Sequence, residues 1–103
     1  MPRYLKKTKS KDKNPFRKLV FSITKNIPRG HVLTYGEVAR RAGSPRASRA
    51  VGSILAQNFD PTIPCHRVIR ADGWVGEYNR GGPKRKAEIL KKEGWIITHD
   101  KIL

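Results

Sequence analysis

A chain of 103 residues with 23 Lys and Arg against 8 Asp and Glu carries a net charge of +15, which describes one small domain with a modest core and a polyanionic partner. Cys65 is the only cysteine, so an internal disulfide is excluded, and His31, His66 and His99 beside it give no ligand set for structural zinc or another metal. No apolar run approaches membrane-spanning length and no amphipathic stretch sets a basic face against Trp and Leu, so nucleic acid is favoured over a membrane, with a ribosome-like phosphate neutraliser as the bland alternative.

Residues 1–15 read as a basic flexible arm. Arg3, Lys6, Lys7, Lys9, Lys11 and Lys13 stand against the acid Asp12, with Tyr4 and Leu5 as the sizeable apolar side chains. Such a segment cannot bury enough surface to offset its ordering entropy. It is expected either to follow DNA phosphates or to act as a solubilising tail. No apolar core follows these charges, so no secretory leader is expected and the thiol should persist in a reducing interior.

From Phe16 the pattern changes, and residues 16–103 are expected to form the domain. Phe16, Leu19, Val20, Ile23 and Ile27 recur at helical spacing, and Asn14-Pro15 supplies a cap with proline at the first helical position. Pro28-Arg29-Gly30 ends that helix. His31-Val32-Leu33 leads into Thr34-Tyr35-Gly36-Glu37, whose Thr and Glu stand at capping-box spacing and predict a second helix through Ala42. Gly43 closes it. Ser44-Pro45 predicts the cap of a third helix running to about Asn58. Ala47, Ala50, Val51, Ile54 and Leu55 form its apolar stripe, with Arg46, Arg49 and Ser53 on another face. Two short helices joined at a glycine, the second carrying arginines and small residues, make a helix-turn-helix pattern. Many helical hairpins share that pattern, and the charge is what favours DNA.

After Asn58 the helical period is lost. Asp60-Pro61 and Ile63-Pro64 force extended or turn geometry. Val68-Ile69, Asp72-Gly73 and Trp74-Val75 predict a small hairpin. A glycine-rich stretch from Gly76 to Gly82 precedes a last helix from Pro83 to Glu93. In that helix Glu93 follows Ile89 and Leu90 at four and three residues, which turns an acid toward the buried side, where it needs a partner. Residues 94–103 are expected to add Trp95 and Ile97 to the core. The elements together predict an α/β, helix-dominated domain with a helix-turn-helix and a short hairpin.

A lone cysteine is more often an inert core residue than a nucleophile. Around Cys65, however, Pro61 and Pro64 stiffen the backbone, and His66 and Arg67 can favour thiolate over thiol. An inward Glu93 could pair with His66 and make it a stronger base, the thiol, imidazole and carboxylate logic of activated nucleophiles. The plainer alternatives are a core histidine bonded to backbone for His66 and a surface partner of Lys91 or Arg85 for Glu93. Tyr35 reads alternatively as a core aromatic at a helix start, and Arg49 as a phosphate contact.

Arg49-Ala50-Val51-Gly52, Asn58, Pro64-Cys65-His66-Arg67-Val68, Gly73, Gly76, Tyr78, Lys86 and Glu93-Gly94, with Gly30-His31-Val32-Leu33-Thr34-Tyr35-Gly36-Glu37-Val38-Ala39 before them, strongly resemble the DNA-binding, active-site domain of the O6-alkylguanine-DNA alkyltransferases. The resemblance covers residues 16–95, and the PCHRV core in register with RAVG is highly specific. It implies a winged-helix-like domain that binds the DNA minor groove and flips a damaged nucleotide into a pocket. Arg49 would then fill the vacated stack, Ala50 and Gly52 would let the helix approach closely, and Arg46 and Ser48 would join the DNA contact. Tyr35 would help rotate the nucleotide and donate a proton toward guanine N3, and Cys65 would attack the alkyl carbon. His66 would take the thiol proton through a water, oriented by Glu93, while Asn58 braces the turn between recognition helix and active site. Pro64, Val68, Trp74, Tyr78 and Asn79 would form the base and alkyl pocket. The resemblance implies no cofactor, a monomer, and irreversible, single-turnover repair of double-stranded DNA containing O6-alkylguanine. The compartment would be the cytoplasmic nucleoid of a prokaryote or the nucleus of a eukaryote.

Two departures bear on that reading. The family's usual N-terminal companion domain is expected to be absent, with a short basic arm in its place, as in stand-alone alkyltransferase-like proteins, which sense the lesion, signal to excision-repair proteins and commonly carry Trp at the cysteine position. Cys65 argues for transfer rather than sensing. The loop Tyr78-Asn79-Arg80-Gly81-Gly82 is one residue longer than usual and displaces a small side chain near the alkylated oxygen, which bears on pocket width.

Overall fold

The computed structural model describes residues 14–102, so the arm expected over 1–15 lies outside the described residues except for Asn14 and Pro15. Four helices and short strands follow in the order α1 (Pro15–Lys25), β1 (Leu33–Thr34), α2 (Tyr35–Arg41), α3 (Ser48–Ala56), a single 3-10 turn (Cys65–Arg67), β2 (Val68–Ile69), α4 (Gly82–Lys92), β3 (Ile97–Thr98) and β4 (Lys101–Ile102). The helix-dominated α/β architecture expected from the sequence is the one observed.

Local chemistry starts the first two helices as expected. Asn14 Oδ1 accepts from the backbone N–H of Arg17 at 3.2 Å, with Pro15 opening α1. At α2 the capping box is complete, with Thr34 Oγ1 accepting from Glu37 N at 3.0 Å and Glu37 Oε1 from Thr34 N at 2.8 Å. The third helix starts later than expected. Ser44-Pro45-Arg46-Ala47 is a β-turn closed by Ala47 N–H to Ser44 C=O at 2.9 Å, and α3 begins only at Ser48. Proline with its preset φ serves a turn as well as a first helical position, which is why the local signal misplaces this start.

The hairpin expected over Val68–Val75 is corrected in the same way. Arg70 N–H to Trp74 C=O closes a tight turn at 3.0 Å, but its two arms do not form a ladder with each other. Val68-Ile69 instead pairs in parallel with Leu33-Thr34, and Trp74 bridges antiparallel to Lys101. The hairpin that does form, β3–β4, joins Ile97 to Ile102 across a turn in which His99 and Asp100 both take positive φ.

Val20, Val38, Ala39, Val51, Leu55, Cys65 and Val68 lie in one core cluster, under α1, α2 and α3. A second, smaller cluster joins Ile69, Val75, Ala87, Leu90 and Ile97 beneath α4, with Trp95 packed against it. Ala50, placed on the apolar stripe by its spacing, is exposed on α3. The parallel pair β1–β2 joins the two halves and fixes the start of α2 against the segment that follows Cys65.

Candidate active site

Cys65 opens the 3-10 turn that connects α3 to β2, with 6 % of its surface exposed. Its N–H donates to Ile63 C=O at 2.8 Å, and Arg67 N–H donates to Pro64 C=O at 2.9 Å, so the proline-stiffened backbone fixes the direction of the sulfur. Asn58, buried just past the end of α3, holds this loop in place. Its Nδ2 donates to Ile63 C=O at 3.2 Å and its Oδ1 accepts from Asp60 N at 3.0 Å.

Glu93 ends α4 and turns inward, as its spacing from Ile89 and Leu90 predicts. Its partners are His66 and Arg67 rather than Lys91 or Arg85. His66 Nε2 meets Glu93 Oε2 at 2.9 Å, while Arg67 donates from Nε to Oε1 at 2.9 Å and from Nη2 to Oε2 at 2.8 Å. Arg67 Nη1 also donates to Ile27 C=O at 2.8 Å, tying the C-terminal end of α1 to the same junction. Burial pushes the Glu93 carboxyl up, but the hydrogen bonds and charges of Arg67 and His66 outweigh it and hold the group at about 2. Glu93 is therefore an acceptor only, and Nε2 of His66 must carry the proton between them. The imidazole is lowered from its ordinary value, chiefly by burial against the opposing pull of Glu93. At neutral pH His66 is thus a neutral ring with Nδ1 free to accept a proton.

The residue that sequence reasoning left without a role is Lys86. It is 1 % exposed, and its Nζ lies 3.2 Å from Tyr35 Oη and 3.2 Å from Glu77 C=O. The spacing Lys86, Ala87, Leu90 already put it on the buried face of α4, and that was the legible signal. Burial lowers the ammonium to about 8 against the opposing charges of Cys65 and Glu77. The same surroundings raise Tyr35 to about 12, burial first and then Cys65 and Glu77. Arg67, two residues after Cys65, has its charge committed to Glu93. The buried cation of this site is Lys86, with its ammonium against the Tyr35 phenol.

Two connected hollows place the other candidate residues. A cavity of about 190 Å³ has Cys65 in its lining together with Tyr35, Gly52, Leu55, Tyr78 and Asn79. It adjoins a cleft of about 900 Å³ between α3 and the Arg70–Trp74 turn, lined by Ser48, Arg49, Ser53, Arg70 and Trp74, and the two share Tyr35, Gly52, Ala56 and Glu77. The structure therefore brings Tyr35, Cys65, Tyr78 and Asn79 together. Trp74 stands in the outer cleft with Arg70 over its ring at 5.4 Å, rather than in the Cys65 cavity. Val68 is fully buried in the core, and Pro64 is half-buried; neither lines the cavity. Arg46 and Ala50 are exposed near the cleft but outside its lining. Among the described residues no group of three His, Cys, Asp or Glu side chains could hold a metal ion, and no helix is long and apolar enough to cross a membrane.

Comparison with known proteins agrees with this geometry. The family described as 6-O-methylguanine DNA methyltransferase, DNA binding domain, matches residues 15–95. The methylated-DNA–protein-cysteine methyltransferase of Methanothermobacter thermautotrophicus is 49 % identical over 80 residues, covering 77 % of this chain and 44 % of its own length. That of Rattus norvegicus is 42 % identical over 79 residues, 76 % of this chain and 38 % of its own. The chain thus spans less than half the length of these two relatives. Among solved structures, Mycobacterium tuberculosis OGT in complex with DNA superposes with a TM-score of 0.73 at 38 % identity, over 80 % of this chain and 50 % of that one. S. pombe Atl1, in complex with damaged DNA containing O6-carboxymethylguanine, gives 0.72 at 33 % identity over 81 % and 79 %. A family match over residues 15–95, with the same fold, makes this chain a member of the 6-O-methylguanine DNA methyltransferase DNA-binding-domain family.

Proposed function

We propose that this chain repairs O6-alkylguanine in double-stranded DNA by moving the alkyl group irreversibly to Cys65. The observation that carries the reading is the position of Cys65 in the lining of a cavity that opens onto a cleft bearing Arg49 and Ser48. DNA lies along α3, Arg49 fills the stack left by the extruded nucleotide, and the purine enters past Gly52, where an added Cβ would meet open space rather than protein.

In the transfer, Cys65 Sγ forms a bond to the alkyl carbon as the bond from that carbon to guanine O6 breaks. The thiol proton passes through a water to Nδ1 of His66, whose Nε2–H is held by Glu93. The electron pair left on guanine is neutralised by a proton from Tyr35 to N3, which turns a poor anionic leaving group into neutral guanine. The phenolate so formed accepts from the ammonium of Lys86. The thioether has no route back, so each molecule acts once.

Intact-mass spectrometry after mixing with O6-methylguanine duplex tests this. One methyl group on Cys65 is expected, and Cys65→Ala should still bind the lesion while gaining no mass. Arg49→Ala should weaken lesion binding, roughly tenfold if it removes part of the few kcal/mol that offsets extrusion. A second reading is favoured by the likeness to Atl1 over about four-fifths of both chains. In it the domain binds the lesion and passes it to excision-repair proteins, and the mass stays unchanged. Either role places the protein with DNA, in the nucleoid or the nucleus, as a monomer.

A further inference from the structure

The outer wall of the Cys65 cavity is tied to the end of α3 chiefly by Asn79, with Arg80 beside it. Asn79 Nδ2 donates to Ala56 C=O at 2.7 Å and to Asn58 C=O at 2.8 Å, and Arg80 Nη2 reaches the same Asn58 carbonyl at 3.4 Å. The Ala56 carbonyl ends α3, where helix geometry leaves C=O groups without intrahelical partners, and the Asn58 carbonyl lies just past that end. The wall itself is the strap from Glu77 to Arg80, which begins after Gly76 and ends at Gly81 and Gly82, all three glycines at positive φ. Opposite the strap, Leu55 and Cys65 are anchored in the core at 5 % and 6 % exposure.

We infer that the Asn79 clamp is the specificity-determining element of the pocket, which sets the alkyl size accepted by holding the Tyr78 strap closed against α3. The inference rests on the transfer reading above. A cavity of about 190 Å³ falls below the roughly 300 Å³ at which drug-sized ligands begin to be enclosed. Guanine with a methyl group can enter without moving the strap, whereas a benzyl substituent requires the strap to swing out. Swinging out breaks both Asn79 bonds. Their loss therefore enters the rate for a bulky alkyl group more than the rate for methyl, and the ratio of the two rates reads the clamp.

The test compares single-turnover transfer from duplexes carrying O6-methylguanine and O6-benzylguanine, read by intact mass, for wild type, Asn79→Asp and Asn79→Ala. Asn79→Asp keeps the shape and removes both donors. Asn79 is exposed, so neither change opens the core. The benzyl-to-methyl rate ratio should rise about tenfold in both variants, the equivalent of one or two net hydrogen bonds. Taking the ratio cancels any loss of DNA affinity or of folded protein, which would slow both lesions alike. A ratio unchanged in Asn79→Asp overturns the clamp, also where Asn79→Ala alone raises it, since bulk would then set the width. Should Asn79→Asp fail to fold, Asn79→Val, which keeps bulk and donates nothing, takes its place. Wild type that takes neither alkyl group ends the transfer reading and this inference with it. Wild type that transfers, with variants of unaltered ratio, ends the inference alone.

Discussion

The buried ammonium of Lys86 donates to the phenol oxygen of Tyr35 across 3.2 Å. An ammonium has three donors and no acceptor, so Tyr35 can only accept from it, and the phenol's own proton must point elsewhere. The Cys65 cavity, which Tyr35 lines, is the open direction. In the proposed transfer Lys86 therefore aims the proton that the leaving guanine needs.

This orientation predicts a bell-shaped pH dependence of transfer. On the acid side the rate should rise as His66 loses its proton, at a pH below the ordinary 6.5 because burial lowers the ring. On the alkaline side it should fall around pH 8, where Lys86 becomes neutral and can accept the phenol proton itself. Lys86→Met should lower the plateau roughly tenfold, part of the hundredfold or more that a positioned acid contributes, and should remove the alkaline limb. An alkaline limb that survives in Lys86→Met would refute the assignment.

Stability should respond to the same lysine with a definite sign. The folded state holds the Lys86 proton only to about 8, against an ordinary 10.5, so the unfolded chain binds more protons between those values. Stability therefore rises with pH across that window, by roughly 3 kcal/mol from this group alone. Tyr35 opposes it above pH 10, since the folded state keeps that proton to about 12. Urea melts at pH 7.5 and 9.5 check this. The gain with pH should be larger in wild type than in Lys86→Met, and Lys86→Met should be no less stable than wild type at pH 7.5.

Glu93 gives the opposite sign at the acid end. Its carboxyl is held at about 2 against an ordinary 4.5, so its contribution is complete above about 4.5 and is lost as pH falls toward 2. Glu93→Gln leaves the inward Arg67 without its counter-charge and should cost roughly 3 kcal/mol at pH 7. The difference in thermal midpoint between wild type and variant should shrink steadily from pH 5 to pH 2. The variant should also slow transfer, because Gln no longer fixes the His66 tautomer. A constant difference across that pH range would mean that Glu93 acts by packing alone.

Much of this site was legible because its signals are local. The capping box at Thr34 and Glu37, the Pro64-Cys65-His66 turn and the inward spacing of Glu93 each depend on a few neighbouring residues. What the sequence could not show depends on strand partners and distant chain. Val68-Ile69 reads as one arm of a hairpin because Asp72-Gly73 follows it, yet its hydrogen bonds go to Leu33-Thr34, far back in the chain. The β3–β4 turn hides because His99 and Asp100 take positive φ without a glycine to announce it. Arg67 looked like the activating cation from its place beside Cys65. Only the fold shows that Glu93 and the Ile27 carbonyl take its guanidinium and that the buried cation of the site is Lys86, beside Tyr35.

Gly76 is where the backbone itself becomes part of the active site. It takes φ +87, and a Cβ added there would stand 3.1 Å from Tyr35 Oη and 3.4 Å from Lys86 Nζ. The second cost is the more telling one. A left-handed backbone strains any L side chain by of order 1–2 kcal/mol, which lowers stability without touching the chemistry. The close approach to Tyr35 pushes the phenol off its position between Lys86 and the cavity. Gly76→Ala should therefore lose transfer rate by more than its stability loss explains, roughly severalfold to tenfold at a temperature where the variant is fully folded. Lesion-DNA affinity, which the proposed function assigns to Arg49 and α3, should change far less. Single-turnover rates set beside equilibrium binding would show the split, and an equal loss in both would place the effect in folding rather than in the aim of Tyr35.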